Sequence, residues 1–417
     1  MAERSSTLVT PVATAPTFIA PSTSSRVLSV DVLRGITIAF MILVNDAGDS
    51  SHVYTQLEHA AWNGCTLTDL VFPTFLFVVG ISIILSLYSR LQRGASRRDL
   101  AFHTIRRAAT IFGVAMLINL IPYFRFGHLR IFGVLTRIAV CYLIVGLICL
   151  VTQRARNLVA ITAALLVSYW LLMRFVPVPG FGVPTHDIPL LDPDRNLAAW
   201  MDRGINAFLQ STIHTGRLYE QTRDPEGLLS TIPAIGTTLL GAVAALWLRR
   251  AEGKSPLITR AQCAIGLLLS GLLGVASGLL WDLWFPLNKK LWTSSYVLFA
   301  AGCALLGLAA CYWLVDIRRF NETKVGRWLT WPWLVFGSNA IVAYTVAALV
   351  EKTLFFIHTS SLGPTGKPLS GWGWIYWHIF ASNGSTNMTS AAFAFVFVLV
   401  CFIPNWILWR KRIFVKL

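Results

Sequence analysis

An imidazole, a carboxamide and a carboxylate stand close together between the first two hydrophobic stretches of the chain: His59, Asn45 and Asp69. The segment Val44–Asp69 also carries Asp46, Asp49, His52, Glu58 and Cys65, but no Lys or Arg. Histidine, with a reference pKa of about 6.5, serves near neutrality as a base or a nucleophile. A carboxamide donates hydrogen bonds to a developing oxyanion. Asp69 has three roles open to it: orienting His59 through one ring nitrogen, holding an ammonium group, or capping the helix it precedes. Groups of this kind concentrated where a membrane meets water point to chemistry on a substrate at that boundary.

The elements that must position them are mostly apolar helix. The chain has 417 residues, 55% hydrophobic and 13% charged, with a mean hydropathy of +0.62. A soluble protein is about 25% charged, so the composition indicates an all-α polytopic membrane protein. The net charge of +16 would suit nucleic acid, but the charges sit between hydrophobic spans, which argues against that partner and for a lipid bilayer. Of the seven cysteines only Cys65 falls outside a span. They form no CxxC pair and are read as packing residues without a disulfide framework. Neither HxxxH nor HExxH occurs, so no metal site is expected, and there is no GxSxG elbow.

Ten spans are expected, at 31–46, 69–89, 105–122, 131–152, 157–176, 229–248, 261–281, 291–315, 332–355 and 388–409. Residues 1–25, rich in Ser, Thr, Pro and Ala, read as a disordered tail rather than a signal peptide. Residues 26–417 form one transmembrane domain, with a long connection at 177–228. Lys and Arg gather in every second loop, which puts both termini in the cytoplasm and the His59 loop outside. Most Asp and Glu fall on that outer side, a bias that favours a cationic substrate such as an amine. The basic inner face favours an anion such as coenzyme A.

Ionisable groups within spans are costly and are read as functional by default. Arg34 lies three residues after Asp31, on the same helix face. It either pairs with Asp31 to anchor the first helix or contacts a phosphate near the cytoplasmic mouth. Arg137, a turn or two inside the fourth span, either snorkels outward or contacts an anionic cofactor. Asn339 is a further site candidate, and helix–helix hydrogen bonding is the alternative. The Gly371–Trp377 stretch reads as an interfacial aromatic belt or a stacking face for a sugar.

At the polar loop and its flanks the chain resembles the heparan-α-glucosaminide N-acetyltransferase family, including bacterial homologues. The matching pieces are Asp31-Val32-Leu33-Arg34-Gly35, Val44-Asn45, His59-Ala60-Ala61-Trp62-Asn63-Gly64 and Thr68-Asp69-Leu70-Val71-Phe72-Pro73. Asp224–Ile232, Pro286–Tyr296 and Gly337–Ile341 follow in family order over roughly residues 28–350. The resemblance implies a transmembrane acyltransferase. It would take acetyl-CoA from the cytoplasm and deliver acetyl to the amine of a glucosamine, or of a glucosamine-terminated saccharide, on the other side. His59, Asn45 and Asp69 take the positions of the family's active-site histidine, asparagine and aspartate. His59 then either attacks the thioester or deprotonates the amine. A homodimer is carried over by analogy. The start of the chain, without a large outer domain or signal peptide, implies a bacterial inner membrane. An aminosugar transporter and an O-acyltransferase of a cell-envelope glycan are the alternative readings.

Overall fold

The computed structural model describes residues 27–252, 256–364 and 366–415. The expected disordered tail at 1–25 lies outside the described residues. The helices are α1 (Leu28–Asn45), α2 (Val71–Gln92), α3 (Arg97–Leu120), α4 (Val134–Val151), α5 (Ala155–Phe175), α6 (Leu197–Ile213), α7 (Leu228–Ala251), α8 (Arg260–Asp282) and α9 (Ser294–Cys311). They continue as α10 (Lys324–Ser338), α11 (Ala340–Phe356), the short α12 (Gly371–Ile375) and α13 (Asn387–Arg410). Strands β1 (His358–Leu362) and β2 (Pro368–Ser370) pair as one antiparallel hairpin. Among the described residues nine helices are long and apolar enough to cross a membrane, and α10 with α11 makes a tenth candidate.

The bundle is built around α2 and α7, the most deeply buried of these spans. They approach backbone to backbone because each presents a glycine to the other's main chain. A Cβ on Gly80 would sit 1.9 Å from the Thr238 carbonyl oxygen, and one on Gly241 would sit 1.9 Å from that of Phe77. Small residues permit such approaches where lipid offers no hydrophobic drive between helices. The same device joins α1 to α10, where a Cβ on Gly35 would strike the Trp333 carbonyl and one on Gly337 that of Asp31. The start of α1 is secured by Asp316, whose carboxylate accepts from the Leu28 and Ser29 amides at 3.3 and 3.0 Å. Those amides have no partner within the helix.

Two elements depart from the reading of the sequence. The span expected at 332–355 is broken, with α10 and α11 bent by 79°. The break falls at Asn339, whose backbone is non-helical (φ −134°, ψ 45°). The third span begins at Arg97 rather than 105. Ser96 caps it by accepting from the Asp99 amide at 3.1 Å, and its charged first turns lie below a hydropathy threshold. The long 177–228 connection contains α6, which lies between α5 and α7 in the chain and packs on both.

Candidate active site

Asp69 lies in the single helical turn Thr68–Leu70 that leads into α2 and is 1% exposed. One carboxylate oxygen lies 2.7 Å from His59 Nδ1. The other accepts from the Ala60 amide at 3.1 Å, the Thr66 amide at 3.0 Å and the Thr66 hydroxyl at 3.1 Å. With both oxygens turned back onto the loop, Asp69 does not cap α2, which has no side-chain cap. An ionised carboxylate only accepts, so it selects the tautomer with the proton on Nδ1. The lone pair then sits on Nε2, and the His59 side chain is 41% exposed. The site is therefore a nitrogen base oriented by a buried carboxylate, the arrangement of a general base or acyl acceptor.

The surrounding loop is braced from distant helices. Gly64, at φ +105°, donates its amide to the Leu287 carbonyl at 2.8 Å. Asn288 Nδ2 donates to Asn63 Oδ1 at 3.2 Å. Tyr296 Oη donates to the Asp69 carbonyl. Trp62 Nε1 donates to the Leu191 carbonyl at 2.7 Å, and the Arg223 guanidinium lies 4.7 Å from its ring centroid. Reasoning from the sequence matched the Pro286–Tyr296 stretch to a family but assigned its residues no role. Here they hold the loop. Burial, and then the Asp69 charge, push the Cys65 thiol up to about 12, so the one loop cysteine is no thiolate near neutrality. Among the described residues no group of three His, Cys, Asp or Glu side chains is placed to hold a metal ion.

Asn45 ends α1 with its side chain exposed. Among the described residues no hydrogen bond joins it to His59 or Asp69. Its neighbour Asp46 is buried.

A cavity of about 430 Å³ opens between α1, α2, α3, α4, α10 and α11. Arg34, Arg107, Ser82 and Ser338 supply its polar wall. Arg34 both pairs with Asp31 at 2.9 Å and reaches Ser82 Oγ at 2.8 Å and the Gly337 carbonyl at 3.1 Å. The anchoring and cavity-facing readings of Arg34 thus coexist. Arg107 lies on α3, with its guanidinium 4.8 Å from the Tyr142 ring centroid. Phe75 and Ser82, six and thirteen residues beyond Asp69, both line the cavity. At a rise of 1.5 Å per residue it therefore extends from about 9 to about 20 Å along α2 from the imidazole site.

Arg137 and Asn339 sit elsewhere. Arg137 is 1% exposed and does not snorkel. It donates to Ser230 Oγ and the Gly227 carbonyl, lies 5.0 Å from the Trp292 ring centroid, and is not part of the cavity wall, although Ile138 is. Asn339, 2% exposed, clamps the C-terminal segment. Its Nδ2 donates to the Ile413 carbonyl at 3.1 Å and its Oδ1 accepts from the Val415 amide at 2.8 Å. Neighbouring Ser338 and Ala340, together with Phe414 and Val415, line the cavity. In the aromatic stretch, Trp372 is buried and stacks on Phe355 at 5.3 Å, which makes it a packing residue.

Part of the acidic bias at the His59 end is neutralised by pairing with arginine. Asp192, Asp194, Glu220, Asp224 and Glu226 each meet an arginine. Arg130 holds two carboxylates at once, Asp224 and Glu226, both at 2.6 Å. Burial alone would raise the pKa of Glu226, but the Arg130 charge overrides it and holds the carboxyl below the usual range. Asp202 secures the same turn, accepting from the Asp224 and Leu228 amides at 3.2 and 3.3 Å.

Residues 26–277, which include Arg34, the His59–Asp69 pair and Arg137, match the family model described as heparan-alpha-glucosaminide N-acetyltransferase, catalytic. The chain is 32% identical over 372 residues to the human protein named heparan-alpha-glucosaminide N-acetyltransferase, an alignment covering 78% of this chain and 53% of that protein. With the mouse protein of the same name it is 30% identical over 376 residues, covering 79% and 54%. The chain thus spans about half the length of these curated relatives. A membrane-embedded helical bundle with a carboxylate-oriented histidine at one end, matched over most of its first seven spans, belongs to the heparan-alpha-glucosaminide N-acetyltransferase catalytic family.

Proposed function

We propose that this protein is a transmembrane N-acetyltransferase that moves acetyl from acetyl-CoA to the amine of glucosamine or a glucosamine-terminated saccharide. The observation that carries the reading is the His59–Asp69 pair at 2.7 Å, with the second ring nitrogen left to act. The names of the relatives supply the acetyl group and the type of acceptor. The alternation of basic loops supports cytoplasmic termini and a His59 loop on the opposite face; a bacterial inner membrane, with that loop periplasmic, is part of the same proposal.

In this reading the cavity takes the donor. The guanidiniums of Arg34 and Arg107 face phosphate oxygens, to which arginine donates charge-assisted, often bidentate hydrogen bonds. The flexible thiol end of coenzyme A points along α2 toward the imidazole. His59 Nε2 either attacks the thioester carbonyl, releasing the thiolate and then passing acetyl to the amine, or takes the proton of an amine that attacks directly. In both cases Asp69 stabilises the imidazolium that forms. The proposed oxyanion role of Asn45 requires its exposed amide to turn toward the acetyl carbonyl when substrate binds. Arg137 and Asn339 act on the donor indirectly, through the turn at Gly227 and the C-terminal wall of the cavity.

Proteoliposomes loaded with glucosamine and supplied with radiolabelled acetyl-CoA outside test the reading. An acetamide product identified by mass spectrometry supports it. An ester product would favour glycan O-acylation, and glucosamine flux without acetyl-CoA would favour a transporter. Arg107→Ala is expected to raise KM for acetyl-CoA about 10- to 100-fold, the worth of a charge-assisted contact, with the acceptor KM unchanged. An unaltered donor KM removes Arg107 from the donor site.

A further inference from the structure

A second cleft, of about 360 Å³, lies at the His59 end of the molecule. Asn206 and Gln210 form one wall. They are four apart on α6 and so share a face. Arg217, Tyr219, Glu220 and Gln221 form the other. Three carboxamides and an exposed aromatic ring line one small space. Carboxamides both donate and accept, as sugar hydroxyls do, and an aromatic face covers the apolar C–H face of a pyranose.

The cleft is built into the active-site scaffold. Gln210 Nε2 closes one end on the Gly216 carbonyl at 3.1 Å. The Tyr219 ring is 66% exposed, yet its position is set by the Arg130 guanidinium at 4.7 Å and by the Tyr219 amide, which donates to Asp224 at 3.0 Å. Glu220 pairs with Lys290 at 3.0 Å and with Arg223. Arg223 stacks on Trp62, three residues from His59. Lys290 follows the Leu287–Asn288 segment that braces Asn63 and Gly64. One cleft wall is thus tied by two routes to the loop bearing the imidazole.

We propose that this cleft is a saccharide subsite that holds the sugars following a terminal amino sugar whose amine is at His59. The proposal rests on the acetyltransferase reading for its reaction and makes the acceptor a chain rather than a free monosaccharide. Asn206, Gln210 and Gln221 bond ring hydroxyls, Tyr219 stacks, and Arg217 engages hydroxyls or an acidic substituent.

The test uses the full-length protein in detergent with β-linked glucosamine and its dimer, trimer and tetramer. The expected result is that kcat/KM rises with length by about tenfold or more once the chain reaches the cleft, the worth of one or two net hydrogen bonds. The double variant Arg217→Ala with Gln221→Ala, both exposed side chains, should return the oligomer to the monosaccharide value and leave monosaccharide kinetics unchanged. Calorimetric titration of monosaccharide and tetramer into His59→Ala protein, with and without the double change, gives the same comparison without turnover. A tetramer that binds and reacts no better than glucosamine overturns the subsite, as does a double variant that affects both acceptors alike or neither. If no acceptor is acetylated yet the tetramer binds more tightly than glucosamine and the double variant removes that advantage, the acetyltransferase reading fails while the subsite stands.

Discussion

His59→Ala is expected to lower kcat for acetyl transfer by about 10³-fold or more while the protein still folds and binds acetyl-CoA. Removing the group that carries the acetyl or the proton deletes the step itself, whereas binding and positioning survive. The side chain is 41% exposed and, among the described residues, is bonded through Nδ1 to Asp69, so truncation leaves no large cavity. Asp69→Asn should be nearly as damaging, at about 10²- to 10⁴-fold in kcat, because a carboxamide can present an N–H to Nδ1 and stabilise the wrong tautomer. That variant also tests the loop, since the second oxygen of Asp69 receives the Ala60 and Thr66 amides. Steady-state kinetics with labelled acetyl-CoA, alongside thermal unfolding of each variant, separates loss of chemistry from loss of fold. A His59→Ala enzyme that unfolds normally and retains full kcat removes the histidine from the mechanism.

Arg130→Ala is expected to destabilise the protein by about 3–5 kcal/mol, the cost of leaving buried charges without their partner. Asp224 is fully buried at its side chain and Glu226 nearly so, and both face Arg130 at 2.6 Å. The deficit should depend on pH. In the native protein Glu226 is held below its ordinary value by Arg130, so its contribution is present above the unfolded value near 4.5 and is lost as pH falls through the folded one. Without Arg130 the strongest opposing charge is gone, burial is countered by Lys289 and Arg137 alone among the cations named for it, and the carboxyl protonates more readily, which relieves the strain in acid. The gap in unfolding temperature between native and variant protein should therefore be widest at neutral pH and narrow toward pH 4.5. A gap that stays constant, or widens in acid, excludes the charge explanation. Activity should fall with stability, because Gly227, in the same turn, also accepts from Arg137.

The membrane spans were legible because crossing a bilayer takes about 20 consecutive apolar residues, a signal that survives without knowledge of packing. The interruption at Asn339 was not, because nothing in the local hydropathy marks a residue that leaves the helix to bind the chain's own C-terminal backbone. The start of α3 was hidden for a related reason, since its charged first turns lie below the threshold that locates spans. Asn45 shows the same limit at the site. The family motif names it, but the direction of its side chain at the end of α1 depends on neighbours.

The His59–Asp69 pair spans ten residues of one loop, so its types and spacing were enough to propose the chemistry. The braces that hold it come from residues more than two hundred positions away: Asn288 on Asn63 and Tyr296 on the Asp69 carbonyl. Whether an intramembrane arginine meets a cavity or a neighbouring helix turns on helix rotation, which a one-dimensional pattern does not carry. Arg34 and Arg107 face the cavity, while Arg137 is sealed against Ser230 and Trp292. Local chemistry and membrane-crossing capacity are properties of short segments and can be read along the chain. The cavity, the cleft and the buried charge cluster arise from contacts between segments distant in sequence, and only packing brings them together.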